Sequence, residues 1–414
     1  MNNTTQPIIR SLLDLDFYKL TMAQVAWKHF RTVPVRYSFK NRTKDVPLAE
    51  IISEEDLRNE LEHIRSLQFR DDELDYLRES KYLPKGIFKE DFLMQLKGLR
   101  LPPVQVRKDG QTYAIDVEGN WHEVIWWETI ILAVMNELYY RELMRKQNLD
   151  WPTVRNAGWE NLMRKIDILT HHYPDVRFSD FGTRRRFSRE WQEEVLRKLL
   201  VHAPGHLLGT SNVHLAYYLD LKPIGTFAHE MDMVLSGIYH DDDEAIRASH
   251  NKVLELWWGE YGEPFSIALT DTYGTDFFFK DLTLEQARKW RGFRQDSGDP
   301  LEFGEKAIAF YQKLGIDPKT KTIVFSDGLD LETILKLHHR FNGRTNVVFG
   351  WGTNLTNDLG FKALSLVVKV TEANGHGTVK LSDNLAKAMG KPEDVERFKR
   401  IFGYTRNESQ ECKY

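Results

Sequence analysis

From residue 176 onward the chain repeats one arrangement: a short apolar run that closes on glycine, acid, hydroxyl or arginine. The runs are 176–182, 206–212, 223–229, 266–272, 292–298, 322–328 and 347–353. The first closes on Asp180, Phe181 and Gly182, followed by Arg184, Arg185 and Arg186. The second closes on Gly209, Thr210, Ser211 and Asn212. His229 and Glu230 follow the third, and Asp271 the fourth. Arg294, Asp296, Ser297, Gly298 and Asp299 close the fifth, and Asp327 and Gly328 the sixth. Gly350, Gly352, Thr353 and Asn354 close the seventh. Brought together, these groups have one coherent chemistry. Carboxylates accept hydrogen bonds from a ribose diol or hold Mg2+, which prefers oxygen ligands. Glycine-rich loops turn backbone N–H groups toward a phosphate. Arginine contacts phosphate through two donors at once, and an aromatic such as Phe181 stacks on a flat ring. The set describes a site for a phosphorylated sugar and a planar partner.

Taken singly, each residue has a plainer reading. An Asp or Ser after a strand is often only a helix N-cap. A lone histidine such as His229 is more often structural than catalytic. Arg184, Arg185 and Arg186 could begin a solvated helix, but three cations there oppose the helix dipole, which favours a bound anion. Residues 241–244 read as a solvated helix start, and His171 and His172 as loop residues ahead of Pro174. No His-x-His pair ends a strand and no Cys–His set exists, so a catalytic zinc site is not expected.

These groups converge only if the runs are strands of one sheet. The intervening segments, such as 188–201 and 301–314, are amphipathic and charged. Strand–helix alternation predicts an α/β fold, a barrel or a doubly wound sheet, and seven candidate strands favour an irregular α/β barrel over 140–370; in either, functional groups sit at the strand ends. Residues 364–370 form a further β-rich run, either an eighth strand or a return to the first domain. Upstream, 11–30 reads as a helix with Asp14 and Asp16 near its start, and 35–39 as a strand. Residues 54–96 are helical with an interruption at Pro84. Short strands over 104–121 surround turns at Asp109-Gly110 and Gly119-Asn120. A long helix over 123–145 follows. The expectation is a second, α+β domain over 1–139, completed by 371–414.

A chain of 414 residues exceeds one ordinary core and fits a barrel plus a smaller domain. Hydrophobic residues at 41% and charged residues at 29% are globular proportions. The net charge of -4 provides no basic excess to attract nucleic acid or an anionic membrane. The single cysteine, Cys412, excludes an internal disulfide and fits a reducing compartment. The N-terminus lacks the basic and apolar segments of a signal peptide. The apolar stretch 124–138 is broken by Glu128 and Asn136, which suits a core helix and not a membrane span. A cytoplasmic protein is expected.

The motifs DFGTRRRFS (180–188), GTSN (209–212), GTFAHE (225–230), LTDT (269–272) and RQDSGDP (294–300) together resemble the nicotinate phosphoribosyltransferase family. SLLDLDFYKLTM (11–22), FSDGLD (325–330) and VKLSD (379–383) extend the resemblance over nearly the whole chain, in the family's order. Each motif is weak alone; the set is specific. The resemblance implies a type II phosphoribosyltransferase-like barrel. It implies a reaction of nicotinate with 5-phosphoribosyl-1-pyrophosphate, giving nicotinate mononucleotide and pyrophosphate in NAD salvage. It also implies Mg2+, and a ligase-type coupling to ATP through a phosphohistidine at His229. Tyr18 and Phe181 match the ring-stacking aromatics, with Tyr18 reaching across from the second subunit of a homodimer. Ser211 stands where related nicotinamide enzymes carry an acid, and Arg184 is the candidate contact for the nicotinate carboxylate. Asp296 and Asp327 match the ribose-diol carboxylates, and 350–353 the 5′-phosphate loop. Thr210, Asp271, Arg294 and Gly328 fall in the same substrate-binding motifs, and Arg42 and Lys380 resemble basic groups near the pyrophosphate. The Mg2+ ligands stay unassigned. Trp351 departs from the family by placing a bulky residue inside the phosphate loop.

The chemistry also suits those residues on its own terms. Breaking the C1–pyrophosphate bond builds oxocarbenium-like charge that carboxylates stabilise, and the leaving group needs cations. A nicotinamide or quinolinate enzyme is the competing reading. Ser211 argues against the first, because an acid there would repel a ligand carboxylate. A barrel that binds nucleotide without turnover is the reading from another class. Glu230 would point away from His229 on a strand, so Asp271 or Asp296 is the expected partner of the imidazole.

Overall fold

A computed structural model describes residues 6–406; Cys412 and the end of the expected C-terminal segment lie outside the described residues. The strands, in chain order, are β1 (Pro34–Asn41), β2 (Val104–Asp109), β3 (Thr112–Asn120), β4 (Phe178–Asp180), β5 (Leu207–Thr210) and β6 (Ile267–Leu269). They continue with β7 (Gly292–Gln295), β8 (Thr322–Phe325), β9 (Asn346–Trp351), β10 (Leu366–Ala373) and β11 (His376–Gly377). The helices used below are α1 (Phe17–His29), α2 (Trp127–Lys146), α3 (Trp151–His172), α4 (Arg189–His202), α5 (Glu230–Ile238), α6 (Asp243–Tyr261) and α7 (Pro392–Phe402).

Two sheets organise the chain. The first is antiparallel, in the order β11-β10-β1-β3-β2. The second is parallel, in the order β5-β4-β9-β8-β7-β6. Six of the seven apolar runs form this α/β arc, with helices between consecutive strands as the alternation requires. The run 223–229 is the exception. It contributes only a parallel bridge between Pro223 and Thr210, since Pro223 has no N–H to give a ladder and α1 crowds the loop at Gly225. The arc therefore closes through side chains. Arg294 Nη2 donates to the Phe227 carbonyl at 3.1 Å, and His229 Nε2 meets Asp271 Oδ1 at 2.9 Å. This is an irregular barrel.

The β-rich run near 364–370 returns to the first sheet: β10 pairs antiparallel with β1, Val368 opposite Phe39. The expected domain boundaries consequently fall inside elements, one inside α2 and one inside β10. The C-terminal segment is also divided. After β11 it leaves the antiparallel sheet, and α7 packs on the barrel side, with Phe402 stacked 3.9 Å from Tyr273 and both clustered with Ile246 of α6. Between the sheets lies α2, buried on every side over 127–140, as expected of a helix with two covered faces. Helix α5 passes so close beneath β10 that a Cβ at Gly237 would lie 2.7 Å from the Ala373 carbonyl oxygen. Gly119 and Asn120 continue β3 opposite β1 and make no turn, because the β1 ladder extends to Pro34. His171 and His172 end α3, where cations suit the helix C-terminus. Residues 241–244 do begin a helix, with Asp242 capping α6.

Helix α1 starts at Phe17, later than the pattern suggested, because the preceding residues lie across the barrel. The N–H groups of Val213 and His214 donate to the carbonyls of Leu15 and Leu13 at 3.0 and 2.8 Å, and Phe17 N–H donates to Ser211 O at 2.7 Å. Asp14 is therefore no helix-start acid. It accepts both terminal nitrogens of buried Arg186, at 2.6 and 2.9 Å, and the Asn212 amide at 2.7 Å. Burial alone would raise the Asp14 pKa, but the Arg186 guanidinium outweighs it and holds the carboxyl far below its usual range. Among the described residues no helix is long and apolar enough to cross a membrane. Breaking this buried pair leaves an uncompensated charge, so Asp14→Ala is expected to lower stability by about 3–5 kcal/mol, measured by urea unfolding against the parent chain.

Candidate active site

One cavity opens where the parallel strands end. Its roof comes from β10 and the chain that follows it, through Val367, Lys369, Lys380, Lys387 and Met389. Phe181, which leaves β4, forms one wall, and Tyr18 of α1 is nearby. Gly350 is obligatory here, because a Cβ would overlap the Phe181 ring. A Cβ at Gly225 would lie 3.1 Å from the Tyr18 backbone nitrogen, so the 223–229 loop seats α1. Tyr18 thus lines the cavity of its own chain. Arg184 lies on a short 3-10 turn, Thr183–Arg185, held by the buried Asn136 amide donating to the Arg184 carbonyl at 3.1 Å. Its guanidinium stands 3.7 Å from Glu128 of α2. Arg185 also lines the cavity, whereas Arg186 is committed to Asp14.

Ser211 faces this end, but its hydroxyl donates to Asp16 Oδ1 at 2.6 Å. That proton is therefore engaged by Asp16, and Arg184, which lines the same cavity, is the expected contact for a ligand carboxylate. Burial raises the Asp16 pKa against the opposing pull of Arg184. Thr210 turns away from the cavity. Its hydroxyl donates to buried Asp180 at 2.7 Å and accepts from Asn212 N–H at 3.0 Å, so it braces the turn that presents Ser211. Burial pushes Asp180 up to about 6 despite its three hydrogen-bond donors.

His229 begins α5, not the end of a strand. Its Nε2 meets Asp271 Oδ1 at 2.9 Å and lies 3.6 Å from Asp296 Oδ2. Asp271 stands behind the wall and is fixed through its other oxygen by Ser297 Oγ at 2.5 Å and Ser382 Oγ at 3.3 Å. Glu230 points elsewhere, to Lys19 and to Trp121 Nε1. Burial and nearby Lys380 depress the imidazole to about 4, more than Asp271 and Asp296 raise it, so it is neutral near pH 7. Burial would raise the Asp271 pKa, but His229, Lys380 and Ser297 outweigh it and hold the carboxyl well below the carboxylate range. With Nε2 bonded to Asp271, Nδ1 has no hydrogen bond among the described residues. His229, Asp271 and Asp296 offer donor atoms within 4.8 Å of one another. The carboxylates suit Mg2+; the imidazole does not.

At the far end lie Asp296, Asp327 and Gly328, the last in the left-handed region at φ 56°. Lys387 donates to Asp327 and to the Asp296 carbonyl, the latter at 3.1 Å. Arg42 donates to the Lys387 carbonyl at 3.2 Å, and Lys380 sits 3.7 Å from Asp271. Arg294 reaches the same wall with Nε buried and unpartnered. Gly350, Gly352 and Thr353 supply the glycine loop. Trp351 does not obstruct it: the ring is buried edge-on against Phe178 at 5.2 Å, while its carbonyl accepts from Phe181 N–H at 2.9 Å. Strand alternation sends the indole into the core.

Sequence reasoning overlooked three charged cavity residues: Asp16, Lys369 and Lys387. Asp16 was within a quoted motif but read as a helix-start acid. Lys369 was visible only as a polar position in a β-rich run whose sheet was undecided. Lys387 had no local signal.

An irregular α/β barrel with aromatics and arginine at one end of its cavity, and acids with a glycine loop at the other, defines a phosphoribosyltransferase. Residues 176–406 match the nicotinate phosphoribosyltransferase (NAPRTase) family, and residues 13–136 match the N-terminal domain of that family. The nicotinate phosphoribosyltransferase of Vibrio cholerae is similar in structure with a TM-score of 0.87 and 35% identity, over 97% of this chain and 96% of that one. That of Porphyromonas gingivalis gives 0.85 and 34%, over 96% and 100%. The chain belongs to the nicotinate phosphoribosyltransferase family. Because Gly350 leaves room for Phe181, Gly350→Ala is expected to displace that ring and cost about 1–3 kcal/mol from overpacking. Thermal unfolding and a crystal structure of the variant check both.

Proposed function

We propose that this chain joins nicotinate to 5-phosphoribosyl-1-pyrophosphate and couples the reaction to ATP through phosphorylation of His229. The observation that carries the proposal is the combination, in one cavity, of the Phe181–Tyr18–Arg184 end with Asp296, Asp327 and the glycine loop, beside a neutral buried histidine. The pyridine ring stacks on Phe181. The ribose diol bonds to Asp296 and Asp327, displacing Lys387. Positioning supplies most of the rate, since the transfer needs little covalent chemistry from the protein. As the C1–oxygen bond to pyrophosphate breaks, the carboxylates offset positive charge on the sugar, and Lys380 and Arg42 receive the leaving group. Asp296 and Asp271 have the oxygen donors that would hold Mg2+, which would neutralise charge on the pyrophosphate.

In the ATP step His229 Nδ1 attacks the γ-phosphorus. A nitrogen–phosphorus bond forms as the bridging phosphorus–oxygen bond breaks, and ADP leaves with the bonding pair. Nε2–H stays donated to ionised Asp271, which balances the charge on the ring. The phosphoryl group later passes to water. His229→Asn is expected to abolish ATP hydrolysis and acid-labile labelling by γ-labelled ATP, while a slower ATP-independent transfer persists. Stoichiometric labelling of the variant would put the phosphoryl group on another residue. The nucleophile is the neutral imidazole, so labelling of the parent enzyme should hold at pH 6–7 and fall only as pH drops toward about 4. A labelling midpoint near 6.5, the ordinary histidine value, contradicts the buried environment.

The Asp16 carboxylate beside Ser211 favours a second reading, a neutral nicotinamide substrate. Assays of pyrophosphate release with nicotinate, nicotinamide or quinolinate, with and without ATP, separate these readings. Nicotinate is expected to be preferred. A homodimer is part of the same proposal, and light scattering on the eluted protein tests it.

A further inference from the structure

Resting on the nicotinate reading, we infer that Lys369 of β10 is a second cation for the substrate carboxylate and sets the preference for an anionic ring. Glu128 is buried where α1, α2, β10 and the 3-10 turn meet. Its Oε2 takes Lys19 Nζ at 2.6 Å, and its Oε1 takes Lys369 Nζ. Arg184 stands 3.7 Å from the same Oε1. Lys19 has a second acid, Glu230, and no place on the cavity wall. Lys369 and Arg184 both line the cavity and share a single carboxylate oxygen.

The hydrogen-bond inventory leaves donors unused. An ammonium has three protons, and Lys369 spends one, on Glu128, among the described hydrogen bonds. The Arg184 guanidinium makes no side-chain hydrogen bond among the described residues and only the longer contact to Glu128. Arg184 acts on Tyr18 electrostatically, Lys369 shares the Glu128 oxygen with Arg184 in the cavity that Phe181 and Tyr18 also line, and the Ser211 proton is already given to Asp16. A ring stacked on Phe181 with a carboxylate substituent meets two cations with free donors there. A carboxamide would bring its own N–H groups against them, which costs hydrogen bonds and rewards no charge. The tether to Glu128 fixes the ammonium before substrate arrives, so little ordering is needed on binding.

The charged groups facing Lys369 are Glu128 from α2, Arg184 from the turn and Lys19 from α1. Burial, with Arg184 and Lys19, brings its ammonium down to about 8 against the pull of Glu128. The ammonium is charged below that pH and lost above it, so an alkaline limb should appear in kcat/KM for nicotinate.

The test compares the parent enzyme with Lys369→Met and Lys369→Arg, measuring KM for nicotinate, KM for the phosphoribosyl donor and inhibition by neutral nicotinamide. For Lys369→Met, nicotinate KM should rise about 10- to 100-fold, as for loss of a hydrogen bond to a charged group. The donor KM and nicotinamide inhibition should change less than about threefold. Lys369→Arg should restore nicotinate KM to within about tenfold of the parent and move the alkaline limb upward, because guanidinium does not titrate there. Unchanged nicotinate KM in Lys369→Met, or an equal rise for the donor, overturns the inference. Should Lys369→Met fail to fold, the limb decides: its absence in the parent, or its persistence unshifted in Lys369→Arg, overturns the inference equally. A parent enzyme that releases no pyrophosphate with nicotinate overturns the functional reading itself, before any variant is compared.

Discussion

Glu128 is a carboxylate without water, and the junction of the two sheets is built around it. Its partners arrive from four separate stretches of chain: Lys19, Arg184, Lys369 and, through Lys19, Glu230. An ion taken from water loses several kcal/mol of solvation, and only close, well-directed partners offset the loss. The Glu128 pKa falls despite burial because Lys19, Lys369 and Arg184 outweigh it. The arrangement is demanding. If β10 paired elsewhere, or α1 left the barrel, the buried carboxylate would lose one of its two close cations. The cluster therefore acts less as a source of stability than as a constraint that ties α1, α2, α5 and β10 to one relative position.

That position makes the cavity. The barrel supplies Phe181, Ser211, Arg294, Asp296, Asp327 and the glycine loop from its strand ends, but an open arc would leave them in solvent. The antiparallel sheet adds Lys369 from above, α1 adds Tyr18 and Asp16, and the chain after β11 adds Lys380 and Lys387. The gap in the arc is bridged by His229 and Asp271, so the residues proposed for phosphoryl chemistry also occupy a place where, among the described residues, no backbone ladder joins neighbouring segments. A loop start there has freedom that a strand interior lacks.

Charge is distributed with equal economy. Asp271 is held by His229, Ser297, Ser382 and Lys380, so it is a fixed anion behind the imidazole. Asp327 is paired with Lys387, whose backbone carbonyl accepts from Arg42. Of the acids facing the cavity, Asp327 has a cation to release when a sugar enters, while Asp16 is held by Ser211 and the Asp296 carboxylate by Ser326.

The barrel and its endings were legible because strand alternation and the residues that end each strand are local properties. Six runs became strands, and Asp296, Asp327 and Gly350 came to one face because parallel strands share a direction, whereas His229 reaches that face from a helix start. The motif set was enough to indicate the family. Other features were not legible, for reasons that are also physical. Pro223 and the approach of α1 remove a strand that the apolar pattern suggested. Asp14 looks like a helix-start acid until a distant arginine claims it, and Asp16, which does stand at the N-cap of α1, gives its side chain to a distant serine instead of to the helix. Lys369 is one polar residue in a β-rich run, and its meaning depends on which sheet receives β10. Local sequence determined which groups could do the chemistry. Only the tertiary structure decided which of them reach the cavity and which are held in the core, because burial of charge is settled by partners hundreds of residues away.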